Sequence, residues 1–141
     1  MRYLKPILLC SLTALITPLY AASADLTNLA GDWYLRVMDG YDVRKVRAIL
    51  DFDPKQMRIG GFDACNRISG KLTSIGEHRY KTTLRSTRMA CRGQSFTFVS
   101  RRLHEALESG FTIKEEKRYG IEGITIKSER HDLFFKRMGK K

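Results

Sequence analysis

Apolar and polar residues alternate at period two through most of the chain. In Trp33-Tyr34-Leu35-Arg36-Val37, residues Trp33, Leu35 and Val37 share one parity, which predicts a half-buried strand. Asp39-Gly40 then signals a turn within Met38 to Asp42. From Val43 to Phe52, residues Val46, Ala48, Leu50 and Phe52 fall on one face and Arg47, Ile49 and Asp51 on the other. A second strand is expected there, ended by Asp53-Pro54-Lys55. Met57 to Phe62 reads as a third, and its adjacent Gly60 and Gly61 signal a bulge or a close backbone approach. Asp63-Ala64-Cys65-Asn66 is a turn, because Asp and Asn side chains bond readily to nearby backbone. Two more strands are expected, at Ile68 to Ile75 and at Arg79 to Ser86, separated by Gly76-Glu77-His78.

The period changes after Gly93. Phe96, Val99, Leu103 and Ala106/Leu107 fall at intervals of three and four, one apolar stripe on a helix from about Ser95 to Glu108. Ser95 is the expected cap at its start and Ser109-Gly110 the expected stop. Strands follow at Phe111 to Lys117, Gly123 to Lys127 and Asp132 to Arg137, with a basic tail from Met138 to Lys141. The pattern predicts a mostly β domain of the α+β class: a compact antiparallel sheet, barrel-like, with one packed α-helix. No repeat or linker divides it.

The N-terminus changes the picture. Arg2 and Lys5 precede an apolar run from Ile7 to about Leu19, and Ala22-Ser23-Ala24 forms a small-residue cleavage pattern. Residues 1–24 are therefore expected to be a secretory signal peptide cleaved after Ala24. As a membrane anchor, the run falls short of the roughly 20 residues that span a bilayer, and Pro18 interrupts its end. Lipidation at Cys10 fits poorly because Leu9 is too large for the position before it. Residues 25–141 would form the mature domain, periplasmic or outer-membrane-associated, without a transmembrane segment. Its 24 Lys and Arg against 15 Asp and Glu leave a net charge of +9, where the whole chain carries +11. Cleavage also removes Cys10 and leaves Cys65 and Cys91, an even count in an exported protein. A disulfide is the default expectation, worth roughly 3 kcal/mol in the chain-entropy model; two reduced, buried thiols are the alternative.

No catalytic constellation stands out. His78, His104 and His131 lack a nucleophile signature and read as surface residues, with His104 on the polar side of the helix. A zinc site would need Cys-x-x-Cys or His-x-x-x-His spacing, which is missing. Asp51 and Asp53 flank Phe52 as a carboxylate pair would, but a solvated strand end is the expected reading. Gly60-Gly61 lacks the Lys-Ser/Thr of a phosphate loop. Asn66 reads as a turn residue whose amide satisfies backbone groups, with ligand binding as the other role. A Cys65–Cys91 bridge would draw Arg67, Arg88 and Arg92 together, and clustered guanidiniums suit carboxylate, phosphate or sulfate groups. Arg67, Arg88, Arg92 and Asn66 are thus the candidate anion-binding set, against the plainer alternative of a solvated basic rim. The other basic groups (Arg44/Lys45/Arg47, Arg101/Arg102, Lys114/Lys117/Arg118, Lys136 to Lys141) appear spread along the chain and would give a positive envelope. Nucleic acid is not an expected partner of an exported chain without a recognition motif.

Several of these residues together resemble the META domain family of HslJ-like exported bacterial proteins. Trp33 and Leu35 match its first strand, and Leu50 and Phe52 the strand before its Gly-Cys-Asn turn. Gly61-Phe62-Asp63-Ala64-Cys65-Asn66-Arg67 matches that turn, with Ala64 where the family usually has Gly. Thr87-Arg88-Met89-Ala90-Cys91, then Phe96 through Leu107, then Leu133-Phe134-Phe135 complete the pattern. The resemblance implies a compact antiparallel β fold with one helix and no catalytic mechanism or cofactor. It further implies a role in envelope stress or antibiotic tolerance. The expected function is that of a non-enzymatic, monomeric envelope protein that binds a protein or an anionic envelope component. The rival expectation is a small anion- or lipid-binding module using the basic rim around Cys65 and Cys91.

Overall fold

The computed structural model describes residues 26–139. The expected signal segment, with Cys10 and the Ala24 cleavage point, lies outside the described residues, as do Lys140 and Lys141. Ten strands follow in order: β1 (Gly31–Met38), β2 (Tyr41–Asp42), β3 (Ile49–Asp53), β4 (Arg58–Phe62), β5 (Arg67–Gly76), β6 (Arg79–Thr82), β7 (Arg85–Ser86), β8 (Phe111–Arg118), β9 (Ile121–Ser128) and β10 (Asp132–Arg137). The helix α1 (Gln94–Ser109) lies between β7 and β8, and 3-10 turns occupy Leu26–Leu29 and Arg44–Val46. The strand order is β10-β9-β8-β6-β5-β4-β3-β1-β2, with β7 on β5. β10 also pairs with β1, Leu35 opposite Phe135, so eight strands close into a ring.

Alternation puts one face of each strand inside the ring. Trp33, Leu35, Leu50, Phe52, Ile59, Ile68, Leu72, Ile113, Ile124, Ile126, Leu133 and Phe135 form the core there, most of them fully buried. Each such side chain contributes about 1.5–3 kcal/mol by leaving water. The apolar stripe of α1 adds Val99, Leu103, Ala106 and Leu107, all without exposed surface. Because neighbouring strands are antiparallel, the turns after β1, β4 and β9 gather at one end of the ring. The helix packs across that end, held to Asp39, Asp63 and His131 of those three turns. At the opposite end Leu29 is buried, and the Trp33 indole Nε1 donates to its carbonyl at 2.8 Å.

Four expectations need correction. Val37 does not share the inward face of Leu35: a bulge between them adds a residue, and Met38 takes the buried place. The strand expected from Val43 is broken. Arg44–Val46 forms a 3-10 turn and Arg47 turns left-handed at φ 55°, so β3 begins at Ile49. Val46 and Ala48 are buried nonetheless, which is why their pattern mimicked a strand. Ser95 does not cap α1: Gly93 holds that position and has no side chain to cap with. The expected Arg79–Ser86 strand is split at Thr83 and Leu84 into β6 and β7. The close approach expected at the paired glycines is real at Gly61, where φ is 135° and a Cβ would stand 2.0 Å from the Ile49 carbonyl oxygen.

Candidate functional site

The turn after β4 is built around one carboxylate. Asp63 is 1% exposed, and its Oδ1 accepts hydrogen bonds from the backbone N–H groups of Cys65 (2.8 Å) and Asn66 (2.6 Å). Its Oδ2 accepts from Ser100 Oγ at 3.0 Å and faces His104 Nε2 at 2.7 Å. Asp63 therefore fixes the turn and anchors the helix with the same side chain. Burial pushes its carboxyl up, but the hydrogen bonds from His104, the turn backbone and Ser100 outweigh this and hold it below the usual carboxylate range. His104 moves the opposite way: the Asp63 hydrogen bond raises it against desolvation, aided by Glu108 at 3.3 Å.

Cys65 and Cys91 are joined by a disulfide, with Cα atoms 4.7 Å apart. It links the Asp63–Asn66 turn to the segment leading into α1. Asn66 secures the same junction, since its Oδ1 accepts from Met89 N–H (2.5 Å) and Thr87 Oγ1 (3.0 Å). Its amide oxygen is thereby used structurally.

Beside the bridge lies an open cleft of about 500 Å³. The 3-10 turn supplies Lys45, Val46 and Arg47 to one wall, and Met89, Ala90, Arg92 and Phe96 form the other, with Phe62, Ala64 and Cys65 between them. Lys45, Arg47 and Arg92 are exposed and meet no carboxylate among the described residues. Of the sequence-predicted set, Arg92 lines the cleft. Arg67 and Arg88 stand exposed outside its walls, and the Arg67 and Thr87 backbones are hydrogen-bonded to one another. Lys45 and Arg47 join Arg92 through the 3-10 turn, a convergence that the expected straight strand concealed. Arg47 also lines a groove on the outer face of the ring with Tyr34, Arg36 and Lys136. Arg47 and Lys136, far apart in sequence, are thereby brought to one groove.

A second polar cluster ties the helix down. Asp39 Oδ1 accepts from Asp132 N–H at 2.8 Å, while its Oδ2 pairs with Arg102 (2.6 Å) and faces His131 Nδ1 (2.8 Å). His131 Nε2 in turn faces Glu105 at 2.7 Å. Burial raises the Asp39 carboxyl, but these bonds carry it below its ordinary value. His131 is only 8% exposed and so is not the surface residue the sequence suggested. Its partners lie 26 and 92 positions away, and local pattern carries no signal at that range. The Asp51 and Asp53 pair is a strand end: Asp53 Oδ1 accepts from Gln56 N–H in the following turn, and Asp51 is exposed. Burial first, then Asp32 and Asp53, raise the Asp51 carboxyl. Among the described residues, no group of three or more His, Cys, Asp or Glu is placed to hold a metal ion, and no helix is long and apolar enough to cross a membrane.

The ring with one helix across its end, stapled by Cys65–Cys91, defines a class of small disulfide-bridged β domains. A profile of the META domain matches residues 24–139, and the chain belongs to that family. Among solved structures, an NMR structure of a protein from Burkholderia xenovorans matches with a TM-score of 0.58 at 21% identity, over 82% of this chain and 88% of that one. A second NMR structure matches with a TM-score of 0.60 at 21% identity, over 76% of this chain and 88% of the other. At that identity the likeness is one of fold. No curated protein matches the chain.

Proposed function

We propose that this protein is an exported, non-enzymatic binding protein of the periplasm or outer membrane. It holds an anionic envelope component in the cleft beside Cys65–Cys91 and so contributes to envelope-stress or antibiotic tolerance. The observation that carries this reading is the trio Lys45, Arg47 and Arg92, three cations around one cleft with no carboxylate to neutralise them among the described residues. Ammonium and guanidinium groups donate and never accept, so they hold phosphate, sulfate or carboxylate oxygens. The bridge and the Asn66 bonds fix the Met89–Phe96 wall to the floor at Cys65 beforehand, which lowers the ordering cost of binding. Arg67 and Arg88, outside the walls, add attraction at longer range rather than contacts.

Calorimetric titration with inorganic tripolyphosphate tests the cleft. Lys45→Ala/Arg47→Ala/Arg92→Ala is expected to abolish binding, and Arg67→Ala/Arg88→Ala to weaken it less. A charge-matched control, Lys81→Ala/Lys117→Ala/Lys127→Ala on the ring wall, is expected to leave binding near that of the wild type. Equal losses in the two triple variants would reduce the effect to net charge and remove the site. Cell fractionation with N-terminal sequencing tests the address: recovery from the envelope with Asp25 first is expected, and cytoplasmic recovery starting at Met1 would contradict it.

A further inference from the structure

The end of the ring that carries the cleft also exposes apolar side chains. Tyr41 is 61% exposed and Met89 55%. Met89 belongs to the wall of the anion cleft. Tyr41 borders a second, more apolar cleft of about 470 Å³ with Val43, Val46 and Phe98, its ring edge-on to Phe98 at 5.6 Å. Lys45 and Val46 line both clefts, so Tyr41 and Met89 flank one basic spine. The carboxylates nearby are already spent. Asp42 is paired with Arg44 at 2.6 Å, and that hydrogen bond above all holds its carboxyl down at about 2. Asp63 is turned inward. Exposed apolar side chains thus sit inside a cationic frame with no uncompensated acid.

A small soluble anion needs the cations and gains nothing from Tyr41 or Met89. A bilayer with anionic headgroups offers both chemistries at once, charge at headgroup depth and apolar material beneath it. Aromatic side chains settle at that interface because their rings are apolar at one end and polar at the other. We propose that this face docks on an anionic lipid surface, with Lys45, Arg47 and Arg92 on headgroup phosphates and Tyr41 and Met89 inserted among the headgroups. This rests on the anion-binding reading of the cleft and names the source of the anion. The attraction of one basic residue to an anionic surface corresponds to about a fivefold change in partitioning, so removing three costs about 100-fold.

Sedimentation with vesicles tests the docking, using phosphatidylcholine alone and phosphatidylcholine mixed equally with phosphatidylglycerol. The protein is expected to sediment with the anionic vesicles and to stay in solution with the neutral ones. Tyr41→Ser, at an exposed position outside the anion cleft, is expected to lower vesicle affinity about fivefold while leaving the tripolyphosphate titration unchanged. Tyr41→Trp supplies a second readout: its emission should shift to the blue on anionic vesicles only, against the constant background of buried Trp33. Tripolyphosphate binding without vesicle binding, vesicle affinity unaltered in Tyr41→Ser, or unshifted Trp emission would each overturn the docking and leave the cleft standing. Failure to bind either probe would overturn both.

Discussion

At one end of the ring, closure starts from a local, apolar plug and takes in one distant cation. The Leu26–Leu29 turn folds Leu29 inward, and the Trp33 indole bonds to its carbonyl only four positions away. Arg137 completes this end, with its guanidinium 4.2 Å over the Trp33 ring and hydrogen bonds to the Ala30 and Asn28 carbonyls. At the other end, closure is long-range and polar. The helix is held by His104–Asp63 and Arg102–Asp39, 41 and 63 positions apart, and by a disulfide across 26. The buried acids at this end are turned to the helix, and Lys45, Arg47 and Arg92 face outward without a carboxylate partner among the described residues. The same choice of polar ties that secures the helix leaves a cationic surface; the apolar end, by contrast, spends Arg137 on its own closure.

The sharpest break of this contrast is Asp63→Ala. It strands the Cys65 and Asn66 N–H groups, Ser100 and His104 together, and a cost of about 3–5 kcal/mol is expected in urea unfolding. A cost near that of an exposed carboxylate would mean that the helix end is not held from this turn. Next comes Cys65→Ser/Cys91→Ser, expected to cost about 3 kcal/mol by restoring freedom to the unfolded chain. The folded fraction should also bind tripolyphosphate more weakly, because the Met89–Phe96 wall is no longer tied to the floor of the cleft at Cys65.

Trp33→Phe probes the apolar end. It keeps most of the buried area and leaves the Leu29 carbonyl without its donor, so about 1–2 kcal/mol is expected, with anion binding untouched. A change in tripolyphosphate affinity in this variant would show the two ends to be coupled.

The smallest effect is in pH. The raised His104 gives stability that is fully present below its ordinary value near about 6.5 and is lost as pH rises through its folded value. The lowered Asp63 works in the opposite direction: its contribution is present above about 3.9 and is lost as pH falls through its folded value. Stability should therefore be greatest between the carboxylate range and the raised imidazole. The alkaline decline should flatten in His104→Asn, read from unfolding midpoints across pH. An unchanged decline would assign it to another group.

The legible parts of the molecule were those set by neighbours in sequence. Period-two alternation located nearly every strand, the shift to period three and four located α1, and the pairing of Cys65 with Cys91, expected once Cys10 was set aside with the signal segment, is the bridge observed. The miss at Val43–Val46 was a failure of parity. Val46 and Ala48 are buried as a strand would bury them, yet Arg47 reverses the chain between them. The Leu35/Val37 bulge hid for a related reason, since one inserted residue flips a face without altering composition. Asp39, Asp63 and His131 were illegible as helix anchors, because only the ring topology brings three distant turns to one end. For the candidate site, Arg92 was found through Cys91 beside it, whereas Lys45 and Arg47 needed the folded turn.

The most direct test of the anion cleft is an amide chemical-shift map of the protein titrated with tripolyphosphate. Shifts are predicted to cluster in residues 44–47, 62–65 and 89–96, to saturate with one another, and to vanish in Lys45→Ala/Arg47→Ala/Arg92→Ala. Shifts centred instead on the β8–β9 hairpin or on Arg137, or no saturable shift at all, would contradict the cleft as the binding site.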